Sequence, residues 1–397
     1  MDDNLPLLME LLSISGGSGR EGRVMETIVD RLRAAGAPPG AIRFDQACRR
    51  SPRGGEVGNL VLRLPGTFRG GRRLLMAHVD TVPLAEKARP VRRGDWIVPA
   101  DATTALGADD RAGATVVLAA ALEILQKGLP HPPLTFFWTV QEEIGLYGAR
   151  YARLGLLGNV RLAFNFDGGP VEKVTIGATG GYRLRIEVSG VASHAGSAPE
   201  AGVSAIAIAA LAVAELHKDG WHGRIEKGRK SGTSNVGIIH GGEATNVVTP
   251  CVELGVEARS HDPAFRQRIV RAIERAFRKA AREVRNTQGV GGQVRFEGRL
   301  DYEAFRLPDD DPSVLAAEAV IRELGGQPMR AVSNGGLDAN WMTARGVPAV
   351  TLGAGQCNPH TTAERLDLRE FQQACRVALR LATSPEAALG DIPSRRG

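Results

Sequence analysis

Polar residues that can bind metal ions or carry protons follow several short apolar segments of this sequence. In LLMAHVDTVP (residues 74–83), an apolar run leads into His78 and Asp80. Residues two positions apart lie on the same side of an extended chain, so this imidazole and this carboxylate are predicted to point the same way. A buried strand is therefore predicted to end in two groups that can do chemistry.

Other segments end in the same manner. In an open α/β sheet, ligands bind outside the carboxyl ends of the strands, so such groups can converge on one crevice. Any one of these acids alone is explained by solvation or by helix capping, but several strand and loop ends together indicate a site. They are FFWTVQEEIG with Glu142 and Glu143, FNFDGG with Asp167, VTLGAGQCNPH with His360, and LGADDRAG with Asp109 and Asp110 at the start of a helix.

The residue types indicate metal binding. Imidazole and carboxylate ligands together suit zinc, cobalt or manganese, and several carboxylates could neutralise two divalent ions. Glu142 and Glu143 are adjacent, so within a strand they would face opposite sides. In a turn at a strand end, one of them can bind metal while its neighbour handles a proton.

The elements that would position these residues alternate between strands and helices, which predicts an α/β domain with a mostly parallel central sheet. From about residue 175 to 303 the pattern changes to half-exposed strands with two helices, typical of an α+β unit. We therefore predict a catalytic domain (residues 1–175 and 304–397) interrupted by an inserted domain (176–303). Predicted strands are 59–64, 73–78, 133–140, 160–167, 182–191, 234–240, 252–259, 292–300 and 348–353, and predicted helices are 4–13, 20–35, 110–126, 203–216, 263–284, 313–324 and 369–383.

Composition limits the class of protein. The 397 residues are 43% hydrophobic and 24% charged, with a net charge of +6. Only 5% are aromatic and the arginines are scattered, so a nucleic-acid partner is not expected. No apolar run approaches the roughly 18–20 residues of a membrane span, and the acidic start does not predict a signal peptide. Four widely spaced cysteines favour a reducing, cytoplasmic location.

The motifs HVDTVP, LGADDRAG, VQEEIGLYGA, FDGG and PHTTAE resemble those of the M20 di-zinc peptidases, in the same order. GADDRAG, GGLDAN (335–340) and SHAGSAPEAG (193–202) are most similar to the peptidase T-like branch. The resemblance extends from about residue 55 to 370.

The resemblance implies two divalent metal ions, with zinc expected and cobalt or manganese as alternatives. His78, Asp109 and Asp167 would hold one ion. Asp109 would bridge to the second ion, which Glu143 and His360 would also hold.

The resemblance also implies how protons move. Glu142 would be the general base that takes a proton from the attacking water and delivers it to the leaving amine. Asp80 would orient the His78 ring, as a carboxylate behind a metal-bound imidazole usually does. Asp110 is expected to cap the following helix, and Glu364 to support the metal ligands from behind.

The inserted domain would be a lid that carries the contact of a homodimer. His194 would reach an active site, often that of the partner subunit, and stabilise the oxyanion. Asn246 and Arg259 would contact substrate; a turn histidine and a surface arginine are the alternatives for His194 and Arg259. The backbone amides of residues 334–336 could also contact substrate, although turn chemistry explains them.

The leading hypothesis is an aminopeptidase of the tripeptidase type that acts on small peptides. An N-acyl amino acid amidohydrolase or a carboxypeptidase of the same fold would use the same metal ligands and remains an alternative. A metal-binding protein with a retired active site is a third, against which the intact Glu142 argues. The roles of Cys357 and of the first 50 residues stay open, as do the substrate, the native metal and the oligomeric state.

Overall fold

The computed structural model describes residues 4–385, which form two compact units. The first unit is built from both ends of the sequence, up to Gly177 and from Arg306 onward. The second, the inserted unit, is Ala178–Phe305. None of the helices within residues 4–385 has the length and apolar character needed to cross a bilayer.

The described helices are α1 (Leu5–Leu12), α2 (Gly22–Ala34), α3 (Ala47–Arg50), α4 (Ala108–Lys127), α5 (Tyr147–Tyr151), α6 (Ala205–Lys218), α7 (Pro263–Glu283), α8 (Pro312–Glu323), α9 (Asp338–Ala344) and α10 (Leu368–Thr383). The described strands are β1 (Ile42–Phe44), β2 (Leu60–Leu64), β3 (Arg72–His78), β4 (Pro90–Arg93), β5 (Trp96–Pro99), β6 (Leu134–Thr139), β7 (Val160–Phe166), β8 (Lys173–Ala178), β9 (Gly180–Ser189), β10 (Gly223–Lys227), β11 (Lys230–Gly241), β12 (Cys251–Ser260), β13 (Gln293–Tyr302), β14 (Phe305–Arg306), β15 (Met329–Ser333), β16 (Val350–Leu352), β17 (Gln356–Cys357) and β18 (Arg365–Asp367).

The first unit is organised around a large sheet with the strand order β1-β2-β6-β3-β7-β16-β8-β14, to which β15 adds beside β8. The central strands β6, β3, β7 and β16 run parallel, while β1, β2 and β8 pair antiparallel with their neighbours. All of β6 is buried, which explains its continuous apolar sequence LTFFWT. The predicted mostly parallel central sheet is confirmed.

Helix α4 packs against this sheet at the point where β7 ends. A Cβ atom on Gly113 would lie 1.9 Å from the carbonyl oxygen of Phe166, so only glycine permits this close approach. Asp109 and Asp110 have non-helical backbone angles, and the regular helix starts after them. The prediction placed the helix start at residue 110, one residue before the regular backbone geometry begins.

A second, four-stranded sheet of order β17-β18-β5-β4 was not predicted. Its strands have two to four residues each, too short for their pattern to be recognised. The segment around Cys357 forms β17, and His360 lies in the connection from β17 to β18. This small sheet therefore positions His360, the histidine expected to bind the second metal ion.

The inserted unit is an antiparallel sheet of order β10-β11-β12-β9-β13. Strand β9 shows the predicted alternation, since Leu184, Ile186 and Val188 are buried and the residues between them are not. These side chains share a core with α6 and α7, including Ile208 and Phe277. The α+β character expected for this part of the chain is thus observed.

Arg73 is predicted to be a major contributor to the stability of the first unit. It is fully buried on β3, where Nη1 donates to the carbonyl oxygen of Leu381 (2.5 Å) and Nη2 to that of Ser384 (2.6 Å). Arg73→Met would leave these carbonyl groups at the end of α10 without the cation, and we expect the free energy of unfolding to fall by about 2–4 kcal/mol.

Urea denaturation of this variant would be compared with that of Arg380→Met, which removes an exposed ion pair between α10 and Glu323. The control should lose less than about 1 kcal/mol. Equal losses would show that the buried contacts add nothing specific.

Candidate metal centre

The parallel strands of the first unit deliver their terminal residues to one edge of the sheet. His78 is the last residue of β3, and Asp167 directly follows β7. Glu142 and Glu143 lie just beyond β6, in the connection to α5. The residues that follow these strands therefore lie together at the carboxyl ends of the strands, as expected.

Asp109 lies between two imidazoles. Its Oδ1 is 3.3 Å from His78 Nε2, and its Oδ2 is 3.2 Å from His360 Nε2. Glu143 Oε1 is 2.9 Å from the same nitrogen of His360. The structure thus brings together His78, Asp109, Glu143 and His360, with a different carboxylate oxygen of Asp109 facing each ring.

Two groups of side chains have ligand atoms within 4.8 Å of one another: His78 with Asp109 and Glu143, and His78 with Asp110 and Asp167. The second group contains Asp110 where the resemblance implied Asp109. Asp110 accepts the N–H of Gly113 (3.1 Å), which is the cap contact expected of it, and also the N–H of His78 (3.2 Å) and Nε2 of Gln356 (2.8 Å). The hydrogen bond from the N–H of His78 holds Asp110 close to that residue.

The cluster carries more negative charge than its surroundings balance. Burial raises the pKa of Glu143 to about 7 and that of Asp167 to about 6, and raises the pKa of Glu142 well above its usual range. Hydrogen bonds with Asp109 and Glu143 raise the pKa of His360 to about 10. A cation bound among these groups would favour ionised carboxylates and a neutral imidazole, and would therefore oppose these pKa shifts.

The ligand set fits divalent metal ions. Asp167 Oδ2 is buried and has no hydrogen-bond partner within residues 4–385, which is costly for a carboxylate unless something else binds it. Imidazole nitrogens and carboxylate oxygens are the donors that zinc, cobalt and manganese share.

Asp80 has more partners than the sequence predicted. His78 Nδ1 lies 3.1 Å from the carbonyl oxygen of Asp80 and 3.4 Å from its Oδ1, so Asp80 contacts the ring through both its backbone and its side chain. Its carboxylate also accepts the N–H groups of Glu142 (2.9 Å) and Glu143 (3.2 Å), and the hydroxyl of Ser18 (2.6 Å). One side chain therefore fixes both a histidine and the two glutamates.

Glu142 and Glu143 lie in a tight turn, as the argument from strand geometry required. The carbonyl oxygen of Glu142 accepts the N–H groups of Gly145 (3.0 Å) and Leu146 (2.8 Å). Gln141 and Leu146 both have positive φ angles, 56° and 57°. Glu143 Oε1 contacts His360 Nε2 (2.9 Å), and the side chains of both glutamates are largely buried.

Glu364 holds the segment that carries Asp109. Its carboxylate accepts the N–H groups of Leu106 and Gly107 (2.8 Å each) and of Asp109 (3.0 Å). Because Glu364 follows His360 in the β17–β18 connection, it links two segments that supply candidate ligands.

The remaining predicted residues lie in the inserted unit. His194 Nδ1 accepts the N–H groups of Gly196 and Ser197 (3.1 Å each), so the neutral ring carries its proton on Nε2. The loops of His194 and Asn246 are adjacent, because the carbonyl oxygen of Asn246 accepts the N–H of Ala195 (2.9 Å). Arg259 is separate from this pair and donates to both carboxylate oxygens of Glu257 (3.1 and 3.0 Å).

Sequence reasoning missed several buried polar residues next to this centre. Asp338, in the GGLDAN segment, accepts the hydroxyl of Thr139, and burial raises its pKa to about 7. Glu21 is fully buried and accepts the N–H of Gln141 (3.0 Å). Asp338 could have been identified from the GGLDAN segment, which resembles a family motif, whereas nothing in the sequence around Glu21 indicates that this residue is buried.

Comparisons with known proteins agree on one family. Residues 74–384 match the model of peptidase family M20/M25/M40. The chain is 31% identical over 327 residues to the uncharacterized protein YqjE of Bacillus subtilis strain 168, covering 82% of this chain and 84% of YqjE. A tripeptidase from Staphylococcus aureus has a TM-score of 0.86 and 29% identity, covering 98% of both chains. The aminopeptidase PepT from Bacillus cereus ATCC 10987 has a TM-score of 0.82 and 29% identity, covering 97% of this chain and 98% of PepT.

Loss of the Glu364 carboxylate is predicted to weaken metal binding. Glu364→Ala would release the three backbone N–H groups at residues 106–109, so Asp109 would be less well placed. We expect a decrease of roughly 10–100-fold in the affinity for zinc, as for other residues that support metal ligands.

The affinity would be measured by competition with a chelator. Glu172→Ala is the control, because Glu172 also accepts a backbone N–H, that of Gln327 (2.6 Å), without contacting a candidate ligand. Unchanged zinc affinity in Glu364→Ala would contradict the supporting role.

Proposed function

The chain belongs to peptidase family M20/M25/M40, and we propose that it is a di-metal aminopeptidase that removes the first residue of small peptides, above all tripeptides. The observation that carries this proposal is Asp109, whose two carboxylate oxygens lie within 3.3 Å of two different imidazole nitrogens. The near full-length similarity to a tripeptidase and to PepT supports the choice of substrate.

We assign one metal ion to His78, Asp109 and Asp167, and a second to Asp109, Glu143 and His360. The buried Asp167 Oδ2 that lacks a hydrogen-bond partner in the described chain supports the first assignment. The contact of His360 Nε2 with both Asp109 and Glu143 supports the second. Two ions, with zinc the expected metal and cobalt or manganese as alternatives, would supply a water of lowered pKa and polarise the scissile carbonyl.

Glu142 is proposed as the general base. Its N–H is fixed by Asp80 Oδ1 (2.9 Å), and burial raises its pKa, which makes its carboxylate a stronger proton acceptor than an exposed one. It would accept the proton of the attacking water and then deliver it to the amine of the departing peptide fragment. Its neighbour Glu143 contacts His360 and is thus separate from this task.

His194 is proposed to donate from Nε2 to the oxygen of the scissile carbonyl. The two backbone N–H groups at its Nδ1 set the tautomer that can donate, which supports this role. Asn246, in the adjacent loop, and Arg259, held by Glu257, are proposed to contact the substrate peptide. A guanidinium that is already fixed loses little freedom when a carboxylate binds beside it.

A homodimer through the inserted unit is also proposed. On this unit Ile238 and Ile239 of β11 are 55% and 56% exposed, and Ile206 and Leu211 of α6 are 45% and 49% exposed. Strand β10 pairs only with residues 230–234 of β11, so in the described chain the later part of β11 is a sheet edge. An exposed apolar edge of this kind suits pairing with a second copy about a two-fold axis.

A cytoplasmic location is proposed as well. Cys48, Cys251, Cys357 and Cys375 are all free, which is consistent with a reducing compartment.

The substrate class is tested with matched peptides. The metal-loaded protein would be assayed on free tripeptides, on the same tripeptides with an acetylated N-terminus and on N-acyl amino acids, each with zinc, cobalt or manganese. We expect cleavage of the first peptide bond of the free tripeptides, identified by mass spectrometry, and loss of cleavage on acetylation. Hydrolysis of the N-acyl amino acids alone would support an amidohydrolase instead.

Glu142→Gln is predicted to keep both metal ions and to lower kcat by roughly 10²–10⁴-fold or more, because the general base is lost. Glu143→Gln is the matched comparison at the neighbouring position and should lose metal. Metal analysis and steady-state kinetics on the two purified variants measure both effects. If Glu142→Gln turned over peptides at the normal rate, or lost metal as Glu143→Gln should, the assignment would be wrong.

His194 is predicted to act across the dimer. Subunits carrying Glu142→Gln and subunits carrying His194→Ala should each be inactive, since a lost oxyanion donor costs about 10²–10³-fold in kcat. After subunit exchange, a mixed dimer would contain one site with an intact Glu142 and the partner's intact donor, so activity should partly return. Native mass spectrometry would verify the exchange, and mixed dimers without activity would rule out action in trans.

A further inference from the structure

The N-terminal loop, residues 13–21 between α1 and α2, contacts the turn that carries Glu142 and Glu143. Glu21 Oε1 accepts the N–H of Gln141 (3.0 Å), and also the N–H of Gly19 in its own loop (2.8 Å). Ser18 Oγ donates to Asp80 Oδ2 (2.6 Å), the carboxylate that holds the N–H groups of both glutamates. The loop therefore reaches the catalytic turn by two routes.

The N-terminal loop is itself fixed to the elements of the metal centre. Arg111, buried at the start of α4, donates from Nη1 to the carbonyl oxygen of Leu11 (3.0 Å) and from Nη2 to that of Gly16 (3.2 Å). A Cβ atom on Gly16 would lie 2.6 Å from Arg111 Nη2, so a larger residue at this position would displace the guanidinium. Gly17 forms a parallel bridge with Thr81, which directly follows Asp80.

Glu21 is an unusual residue to bury. Its side chain is fully inaccessible, and a buried carboxylate costs free energy unless its surroundings compensate. Two N–H donors at Oε1 and the nearby guanidinium of Arg111, which interacts electrostatically with both Glu21 and Asp80, offset part of that cost. Within residues 4–385 Oε2 has no hydrogen-bond partner, and burial raises the pKa of Glu21 to about 7. The acidic side chain is therefore held at a defined position beneath the turn.

The turn needs such support because its backbone is strained. Gln141 has a φ angle of 56°, a conformation that residues other than glycine seldom adopt. Its side chain is held at both ends, since Oε1 accepts the hydroxyl of Ser51 (2.6 Å) and Nε2 donates to the carbonyl oxygen of Gly54 (2.6 Å). On the backbone of Gln141, which directly precedes Glu142, the carbonyl oxygen accepts the N–H of Tyr147 (3.1 Å), and the N–H donates to Glu21.

We propose that Glu21 and Ser18 are positioning residues for the Glu142–Glu143 turn. Glu21 fixes the N–H of Gln141, the residue before the general base, and Ser18 fixes the Asp80 carboxylate that orients both glutamates. This assigns to the N-terminal segment a function that lies outside the family motifs. The inference rests on the proposed function, because it treats Glu142 as the base and Glu143 as a metal ligand.

The test compares a variant that removes the acceptor with one that keeps it. Glu21→Leu should lower kcat on a tripeptide by roughly 10–100-fold with little change in KM, since misplacing a catalytic group by a small distance has effects of this size. Glu21→Gln should recover most of the lost rate, because its amide oxygen can still accept the N–H of Gln141. Ser18→Ala removes a single hydrogen bond and should lower kcat in the same direction by a smaller factor.

Glu56→Leu is the matched control. Glu56 Oε2 accepts the N–H of Gly22 (3.0 Å), so it is also a carboxylate that holds a backbone N–H in the N-terminal part of the chain, but it does not contact the turn. Its kcat should equal that of the unmodified protein. An equal loss in Glu56→Leu and Glu21→Leu would mean that both act through general stability, and would overturn the inference.

A measurement without turnover separates this inference from the proposed function. The visible absorption of the Co²⁺-loaded protein reports ligand geometry, and Glu21→Leu should change that spectrum or the Co²⁺ affinity while Glu56→Leu should not. If the unmodified protein cleaves no peptide, the proposed function fails, and the cobalt spectra still test the positioning. If peptides are cleaved and Glu21→Leu keeps normal kcat and spectrum, the positioning role alone is wrong. Should Glu21→Leu not fold, Ser18→Ala provides both readouts, and normal values there overturn the inference.

Discussion

The metal centre depends on the carboxylate of Asp109, which faces one imidazole from each end of the first unit's sequence. His78 comes from β3 and His360 from the β17–β18 connection, so neither half of this unit can form the arrangement alone. The position of Asp109 depends in turn on the three N–H groups that Glu364 accepts and on the approach of α4 to β7 that Gly113 permits. The relative positions of these candidate ligands therefore depend on both parts of the first unit's sequence.

This arrangement buries several carboxyl groups close together, which is energetically unfavourable for their charged forms. Asp110, Glu142, Asp167 and Asp338 all lie near His78, and burial raises the pKa of each. Backbone N–H groups and hydroxyls satisfy part of this charge, as they do for Asp80 and Glu21. The remainder is what divalent ions would neutralise, so metal binding and stability of the first unit are expected to be linked.

Much of this could be predicted from the sequence because the strongest signals are local. Buried parallel strands are continuous apolar runs, and the pattern of these runs alone places the residues after them, such as Asp167, at a common edge of the sheet. The predicted family was confirmed. The small sheet around β17 was missed because its strands are too short, and the contacts of Glu21 and Ser18 were missed because they join segments far apart in sequence. The hydrogen bonds of Asp80 with Ser18, Glu142 and Glu143 could not be predicted for the same reason, since the sequence spacing indicates only its contact with His78.

The strand order of the large sheet also bears on how the protein is made. Strand β16 lies between β7 and β8, although it is synthesised after the entire inserted unit. The emerging chain must therefore keep a gap in its central sheet while the inserted unit, a continuous segment with its own core, is free to fold. His360, a proposed metal ligand, leaves the ribosome later still, so the proposed centre cannot assemble before this residue has been made. Translation order thus delays the assembly of this centre until the chain has been made at least as far as His360.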